Sequence, residues 1–416
     1  MRIFPGEVRG NVSAPPSKSH SHRAIFLSAM ADGESVIDGA LLSADTLSSC
    51  EAMRAFGADI EVHGTSLIVR GGRLEARGGT VDVGNSGTTL RLLSGLASLF
   101  PQTTVIDGDQ SLRTRPMGPL LRTLTEMGAR CSSHQDKPPV SITGPLVGRT
   151  ASIEGGVSSQ FISSLLLAGG LREGDTRVEV QGNMSSRPYV DITISMMERF
   201  GSNVICDGSS FITEGGGYSS HDYHVPGDFS SAAFPLVAGA VAGDVRVDGL
   251  DHNDLQGDKV ILDILESFGA DVDVGPGFAR VRKGSLNAAD VDLGDTPDLF
   301  PIVSVLAAYA DGESRLFNAR HLRFKESDRI ATSVAMLKSM GVDVTATDDG
   351  CVVRGGGPLK GGRIDTHGDH RIMMAGFVAG LNAIGHTEML SAGEHEVSYP
   401  KFLEQMGNLG IQMEFD

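Results

Sequence analysis

A glycine recurs in one local setting six times. It stands in Phe56-Gly57-Ala58-Asp59-Ile60, Met127-Gly128-Ala129-Arg130 and Phe200-Gly201-Ser202-Asn203-Val204. It returns in Phe268-Gly269-Ala270-Asp271-Val272, Met340-Gly341-Val342-Asp343-Val344 and Leu409-Gly410-Ile411-Gln412-Met413. Successive glycines step by 71, 73, 68, 72 and 69 residues. Self-similarity at a fixed period points to one supersecondary unit used repeatedly. A glycine between a helical run and a β-like run reads as the left-handed residue just past a helix end. The run before it is amphipathic, since Ile261, Ile264, Leu265 and Phe268 fall at i, i+3, i+4 and i+7.

Each repeat has a second, more apolar run upstream, at residues 25–30, 90–99, 161–168, 232–242, 299–310 and 372–383. A short β-prone segment follows each of them. Two helices and several strands, six times over, predict an α/β architecture. Pro16 and Pro226 stand three repeats apart, which places a division there. The expected domains are residues 1–15 plus 227–416, holding three repeats and the first strand, and residues 16–226, holding the other three. The chain would cross between them twice, with an active site in the cleft.

Charge narrows the partners. With 52 acidic against 35 basic residues, the net charge of −17 argues against nucleic acid or an anionic membrane. No apolar run of about 18 residues occurs, and residues 1–7 lack the apolar core of a signal peptide. The four cysteines form no Cys-x-x-Cys pair, which suits a reducing cytosol better than a zinc framework. A cytoplasmic location is expected.

The basic residues nevertheless concentrate in motifs. Residues 14–24 read Ala-Pro-Pro-Ser-Lys-Ser-His-Ser-His-Arg-Ala. The prolines hold the entry extended, the serines offer capping and ligand hydroxyls, and Lys18 and Arg23 add two cations. A helix N-terminus so equipped is an anion site by electrostatics; a capped helix with exposed basic residues is the plainer reading. Lys18, Thr88, Ser159, Asp228, Asp298 and Asp369 recur at the start of the apolar helix, 69–71 residues apart. The second helices start near Asp45, Arg115, Arg187, Asp258, Arg329 and Tyr399.

Gly84-Asn85-Ser86-Gly87-Thr88-Thr89-Leu90-Arg91 has glycines that let backbone N–H groups approach a ligand. Arg113 and Arg115 suit bidentate oxyanion binding. Residues 320–329 are the densest charge cluster, in which Lys325 beside Glu326 has the makings of a proton-transfer pair. Asp369-His370-Arg371 reads as a capped helix start or an anion clamp. His20 and His22 lack the carboxylate or Cys companions of a metal site. The Gly-x-x-x-x-Gly-Lys-Ser/Thr loop, Gly-x-Gly-x-x-Gly after a strand, and His-Glu-x-x-His are all absent. Nucleotide kinases, dehydrogenases and zinc hydrolases lose ground accordingly.

Taken in order, eight motifs resemble the 5-enolpyruvylshikimate-3-phosphate synthase family. They are Pro16-Ser-Lys-Ser, Gly84-Asn-Ser-Gly-Thr-Thr, Leu112-Arg-Thr-Arg-Pro, Ser158-Ser-Gln-Phe, Ser186-Arg-Pro-Tyr, Pro297-Asp-Leu-Phe-Pro, Lys325-Glu-Ser-Asp-Arg and Asp369-His-Arg. The resemblance implies a two-domain inside-out α/β barrel of six βαβαββ units. It implies transfer of the enolpyruvyl group of phosphoenolpyruvate to the 5-hydroxyl of shikimate 3-phosphate, with release of phosphate, on the route to chorismate and aromatic amino acids. Shikimate 3-phosphate would then meet Lys18, Ser19, Arg23, Ser158, Ser159, Gln160, Ser186, Asp298, His321 and Lys325. Phosphoenolpyruvate would meet Lys18, Gly87, Arg115, Gln160, Arg329 and Arg371, with Asn85 shaping the pocket. Asp298 would take the hydroxyl proton, and Glu326 with Lys18 would handle the proton at C3. No cofactor or metal is implied, and a monomer is expected.

Two positions depart from the family pattern. Val397 stands where a Lys is common, with Lys401 shortly after, and His321 stands where an Asn is common. Gly87 is retained, so the pocket is expected to have room for glyphosate. The related UDP-N-acetylglucosamine enolpyruvyl transferases would present a Cys before Arg115, and residues 103–115 contain none. A non-catalytic scaffold that binds anions would have no use for Asp298 and Glu326 among the cations.

Overall fold

The structure, a computed structural model, describes residues 1–415. Among these residues there are twelve α-helices. They are α1 (Lys18–Met30), α2 (Ala44–Ala55), α3 (Gly87–Ala97), α4 (Gly118–Glu126), α5 (Ser159–Leu171) and α6 (Arg187–Arg199). The second set is α7 (Phe229–Ala242), α8 (Ile261–Ser267), α9 (Phe300–Tyr309), α10 (Arg329–Ser339), α11 (His370–Gly380) and α12 (Phe402–Asn408). Odd-numbered helices are the apolar member of each repeat and even-numbered ones the amphipathic member. All residues of α7 are buried, as expected of a helix apolar on every side. None of the described helices is long and apolar enough to cross a membrane.

The chain divides into two compact units, Pro16–Val225 and residues 1–15 together with the chain from Pro226 onward. Pro226 thus sits with the latter unit, one residue earlier than the expected division. Proline at this point restricts the residue before it to extended backbone, a natural place for a connection.

One repeat serves as the pattern. Gly79–Asp82 pairs in parallel with Thr104–Asp107, with Gly79 opposite Thr104 and Val81 opposite Ile106. The parallel pair needs a crossover, which α3 supplies. Lys137–Thr143 and Arg130–His134 then extend the sheet antiparallel. The same order of parallel pair and antiparallel hairpin recurs at Thr150–Glu154, Thr176–Gln181, Ser210–Thr213 and Val204–Asp207. It is the βαβαββ order, and the described chain forms six such small sheets.

Two repeats borrow their leading strand. In the 16–225 unit, Tyr218–Ser219 and Tyr223–His224 run parallel to Ala31–Asp38. In the other unit, Val8–Ser13 runs parallel to Gly243–Asp248, while Arg2–Ile3 lies between Thr387–Met389 and Met413–Glu414. The buried cores follow the same partition, one around α1, α3 and α5 and the other around α7, α9 and α11.

The six periodic glycines all have positive φ, from 82° at Gly341 to 106° at Gly128. At Gly57 the amide donates to Arg54 O and the next amide, of Ala58, reaches back to Met53 O. That pattern closes a helix with a left-handed residue, the conformation glycine adopts without a Cβ penalty.

Candidate active site

Within the 16–225 unit the expected ligand residues gather at helix starts. Ser17 caps α1 by accepting from the His20 amide at 3.5 Å. Lys18, the first residue of that helix, pairs with Asp45 in the first turn of α2 (Nζ to Oδ2, 3.1 Å). Both side chains are only 15% and 10% exposed, so screening by water is limited. Ser158 caps α5 and Ser159 begins it. Gln160 bridges two elements: its Oε1 accepts from Arg91 Nη1 at 2.6 Å, and its Nε2 donates to Thr88 Oγ1 at 2.8 Å. Ser186 precedes α6 with φ 58°, a left-handed conformation that a serine holds only under constraint from its surroundings.

Arg115 follows a short 3-10 turn in extended backbone, three residues before α4 rather than at its start. Its Nη2 donates to Asn85 Oδ1. The guanidinium presses so closely on Gly87 that a Cβ there would lie 2.5 Å from Nη1. Asn85, Gly87, Arg91, Arg115 and Gln160 are therefore one connected cluster. Arg23 is turned into the packing. It donates to Thr193 Oγ1, to the carbonyls of Ser19 and Tyr189 and to Ser163 Oγ, and burial brings its pKa down to about 10.

The other unit holds the acids. Arg329, at the start of α10, is 1% exposed and binds three carboxylates. Its Nε donates to Asp369 at 2.8 Å, Nη1 to Asp298 at 2.7 Å and Nη2 to Glu326 at 2.7 Å. Asp298, in a 3-10 turn leading into α9, also receives Arg371 Nη2 at 2.7 Å. Burial opposes its ionisation. Arg371, Lys325 and Arg329 outweigh that and hold it well below the usual carboxylate range. Asp369 caps α11 by accepting from the Arg371 amide at 2.9 Å.

His321 is 7% exposed and its Nε2 has no hydrogen-bond partner among the described residues. Burial, then the charge of Lys325, lowers its pKa to about 4. Val397 ends a short 3-10 turn and is half-buried, whereas Lys401 is exposed. Asp258 is buried against Ser230, whose hydroxyl donates to it. Burial first, then the nearby charge of Asp298, pushes its carboxyl up to about 7. Among the described residues no group of three His, Cys, Asp or Glu side chains is placed to hold a metal ion.

The helix-start register picks out Asp45 and Asp369, and the Gly84–Arg91 stretch picks out Arg91; their pairings with Lys18, Arg329 and Gln160 carry no local signal.

A family model described as EPSP synthase (3-phosphoshikimate 1-carboxyvinyltransferase) matches residues 4–406. The chain belongs to the EPSP synthase family. A curated 3-phosphoshikimate 1-carboxyvinyltransferase from Methanocorpusculum labreanum is 48% identical over 411 residues, which cover 98% of this chain and 97% of that protein. One from Methanocella arvoryzae is 43% identical over 99% of both chains. A solved EPSP synthase from Acinetobacter baumannii superposes with a TM-score of 0.83 at 32% identity, covering 100% of this chain and 99% of that one. The inside-out α/β fold of six repeats is that of the EPSP synthases. Enolpyruvyl transfer in the shikimate pathway is the reaction of this chain, and the family acts on shikimate 3-phosphate and phosphoenolpyruvate.

Proposed function

We propose that the chain carries out the EPSP synthase reaction with Asp298 as base, and Glu326 with Lys18 as the groups that move the proton at C3. Shikimate 3-phosphate is held by Lys18, Ser19, Arg23, Ser158, Ser159, Gln160, Ser186, His321 and Lys325. Phosphoenolpyruvate is held by Lys18, Gly87, Arg115, Gln160, Arg329 and Arg371. Protonation of C3 makes C2 electrophilic; the 5-hydroxyl oxygen adds to C2 and loses its proton to Asp298. The adduct then gives up the C3 proton as the C2–O bond to phosphate breaks.

The observation that carries this reading is the sharing of Asp298 between Arg329 and Arg371, with Glu326 on the same Arg329. An aspartate clamped by two guanidiniums is a poor base. Anionic substrate groups compete for those same cations, so the clamp loosens and Asp298 gains basicity only when the substrates are bound. Glu326 is freed by the same exchange. Four of the five N–H groups of Arg329 already face protein carboxylates, so its part in binding draws on such an exchange. Four of the five N–H groups of Arg23 likewise already meet protein acceptors.

The four cysteines are unpaired, which supports a reducing cytoplasm as the location. The proposal takes the chain as a monomer and uses no cofactor. Steady-state kinetics of Asp298→Asn test the roles. The expected result is a kcat lower by about 10²–10⁴-fold, the usual worth of a positioned acid or base, with both KM values changed far less. Full turnover in this variant removes Asp298 from the chemistry.

A further inference from the structure

A buried relay joins three helices behind the Gly84–Gly87 loop. His22 of α1 meets Ser49 of α2, Nδ1 to Oγ, at 2.8 Å. Ser49 Oγ meets Thr89 Oγ1 of α3 at 2.7 Å, and Thr89 Oγ1 meets Ser86 Oγ at 2.7 Å. Ser86 is the N-cap of α3 and also accepts from the Thr89 amide at 3.3 Å. All four side chains are 0% exposed.

Counting protons gives the relay a direction. A neutral imidazole and three hydroxyls bring four protons to three hydrogen bonds, so one group does not donate within the relay. If every bond runs inward, the spare proton is the N–H of His22 Nε2, a buried atom with no partner. If every bond runs outward, Nε2 is a bare lone pair and the spare proton belongs to Ser86. Either way one donor is left over, but a hydroxyl proton can rotate to suit its surroundings whereas an Nε2–H is fixed in the ring plane with no acceptor, so the ring donates from Nδ1–H. Burial, then the charges of Lys18 and Arg23, lowers the pKa of His22 and keeps the ring neutral, as the count requires.

We infer that His22 is a positioning residue. Through Ser49 and Thr89 it fixes the N-cap of α3, and with it the Gly87 backbone against which Arg115 rests. The inference depends on the reading of Gly87 and Arg115 as the phosphoenolpyruvate side of the site. His22 touches no substrate. Its contribution is the place of the loop, so its loss is felt in the affinity for phosphoenolpyruvate rather than in the proton transfers.

The test pairs kinetics with nitrogen-15 NMR of the histidine rings of the full chain. His22→Leu is expected to raise the KM for phosphoenolpyruvate by about tenfold, of the order of one lost buried hydrogen bond. The KM for shikimate 3-phosphate and kcat are expected to change by less than about threefold on the same reasoning. In His22→Asn the side-chain amide can occupy the place of Nδ1–H, and that variant is expected to recover most of the loss. Thr89→Val breaks the relay at its far end and is expected to copy His22→Leu, which serves if the leucine variant does not fold. The ring spectrum is expected to show Nδ1 protonated and Nε2 bare. An Nε2–H tautomer, equal rises in both KM values, or failure of asparagine to rescue overturns the inference. Wild-type turnover on the two substrates reports separately on the functional reading, and the tautomer tests the relay even if that reading fails.

Discussion

Gly87 leaves the Arg115 guanidinium the space it occupies. A methyl group there would stand 2.5 Å from Arg115 Nη1 and 3.3 Å from Arg91 Nη1. Gly87→Ala is therefore expected to displace Arg115 and to raise the KM for phosphoenolpyruvate by about tenfold or more, one misplaced charge-assisted contact. The KM for shikimate 3-phosphate should move much less, and initial-rate kinetics at saturating co-substrate separate the two. Equal rises would place the cluster elsewhere in the mechanism. On the proposed assignment of Gly87, glyphosate is expected to compete with phosphoenolpyruvate at millimolar concentration, and failure to compete would contradict that assignment. Residue types at this scale were readable from the chain because Lys, Arg and Gly cluster in short motifs. Their pairings were not. Lys18 with Asp45, Arg91 with Gln160 and His22 with Ser49 join positions 27 to 69 apart, and nothing local announces which partners will meet.

At the scale of elements, α3 and α5 approach each other with almost nothing between them. The Gly95 amide donates to Ser164 Oγ at 3.0 Å, and that hydroxyl donates to the Arg91 carbonyl at 2.6 Å. A Cβ on Gly95 would overlap the Ser164 hydroxyl and lie 2.5 Å from its carbonyl oxygen. Gly95→Ala should cost about 1–3 kcal/mol, the range for overpacking a tight interior, read from the midpoint of urea unfolding. A variant as stable as the parent would show that the two helices can part freely. The helix ends past the six glycines were legible because only glycine adopts that backbone cheaply. The 3-10 turns before α8, α9 and α12 were not, since one extra tight turn leaves no periodicity to detect.

Across the whole molecule, buried titratable groups make stability depend on pH in a way whose sign can be stated. His22 and His321 both have lowered pKa values. Stability from their neutral forms is fully present above the unfolded value near 6.5 and is lost as pH falls toward the folded value, about 4 for His321. Asp258 acts in the opposite sense. Its raised pKa makes its contribution full below the unfolded value near 3.8 and lost as pH rises through about 7. Between pH 5 and 6.5 two histidines therefore oppose one aspartate, and stability should fall on acidification. Asp258→Asn should steepen that fall by up to about 1.4 kcal/mol per pH unit, the slope of one proton. A parallel profile in thermal unfolding would contradict it.

The six-fold register made the α/β class and the repeat order legible at this largest scale, because the same helix–glycine–strand text is written six times. The borrowed strands at Tyr218–Ser219 and Tyr223–His224 carry no such text and emerge only from the folded sheet. This chain joins two phosphorylated acids and releases phosphate. The most direct measurement of this is phosphate release by the purified full chain, with shikimate 3-phosphate and phosphoenolpyruvate supplied singly and together. Release is expected only when both are present. Release from phosphoenolpyruvate alone, or only when UDP-N-acetylglucosamine replaces shikimate 3-phosphate, would contradict it.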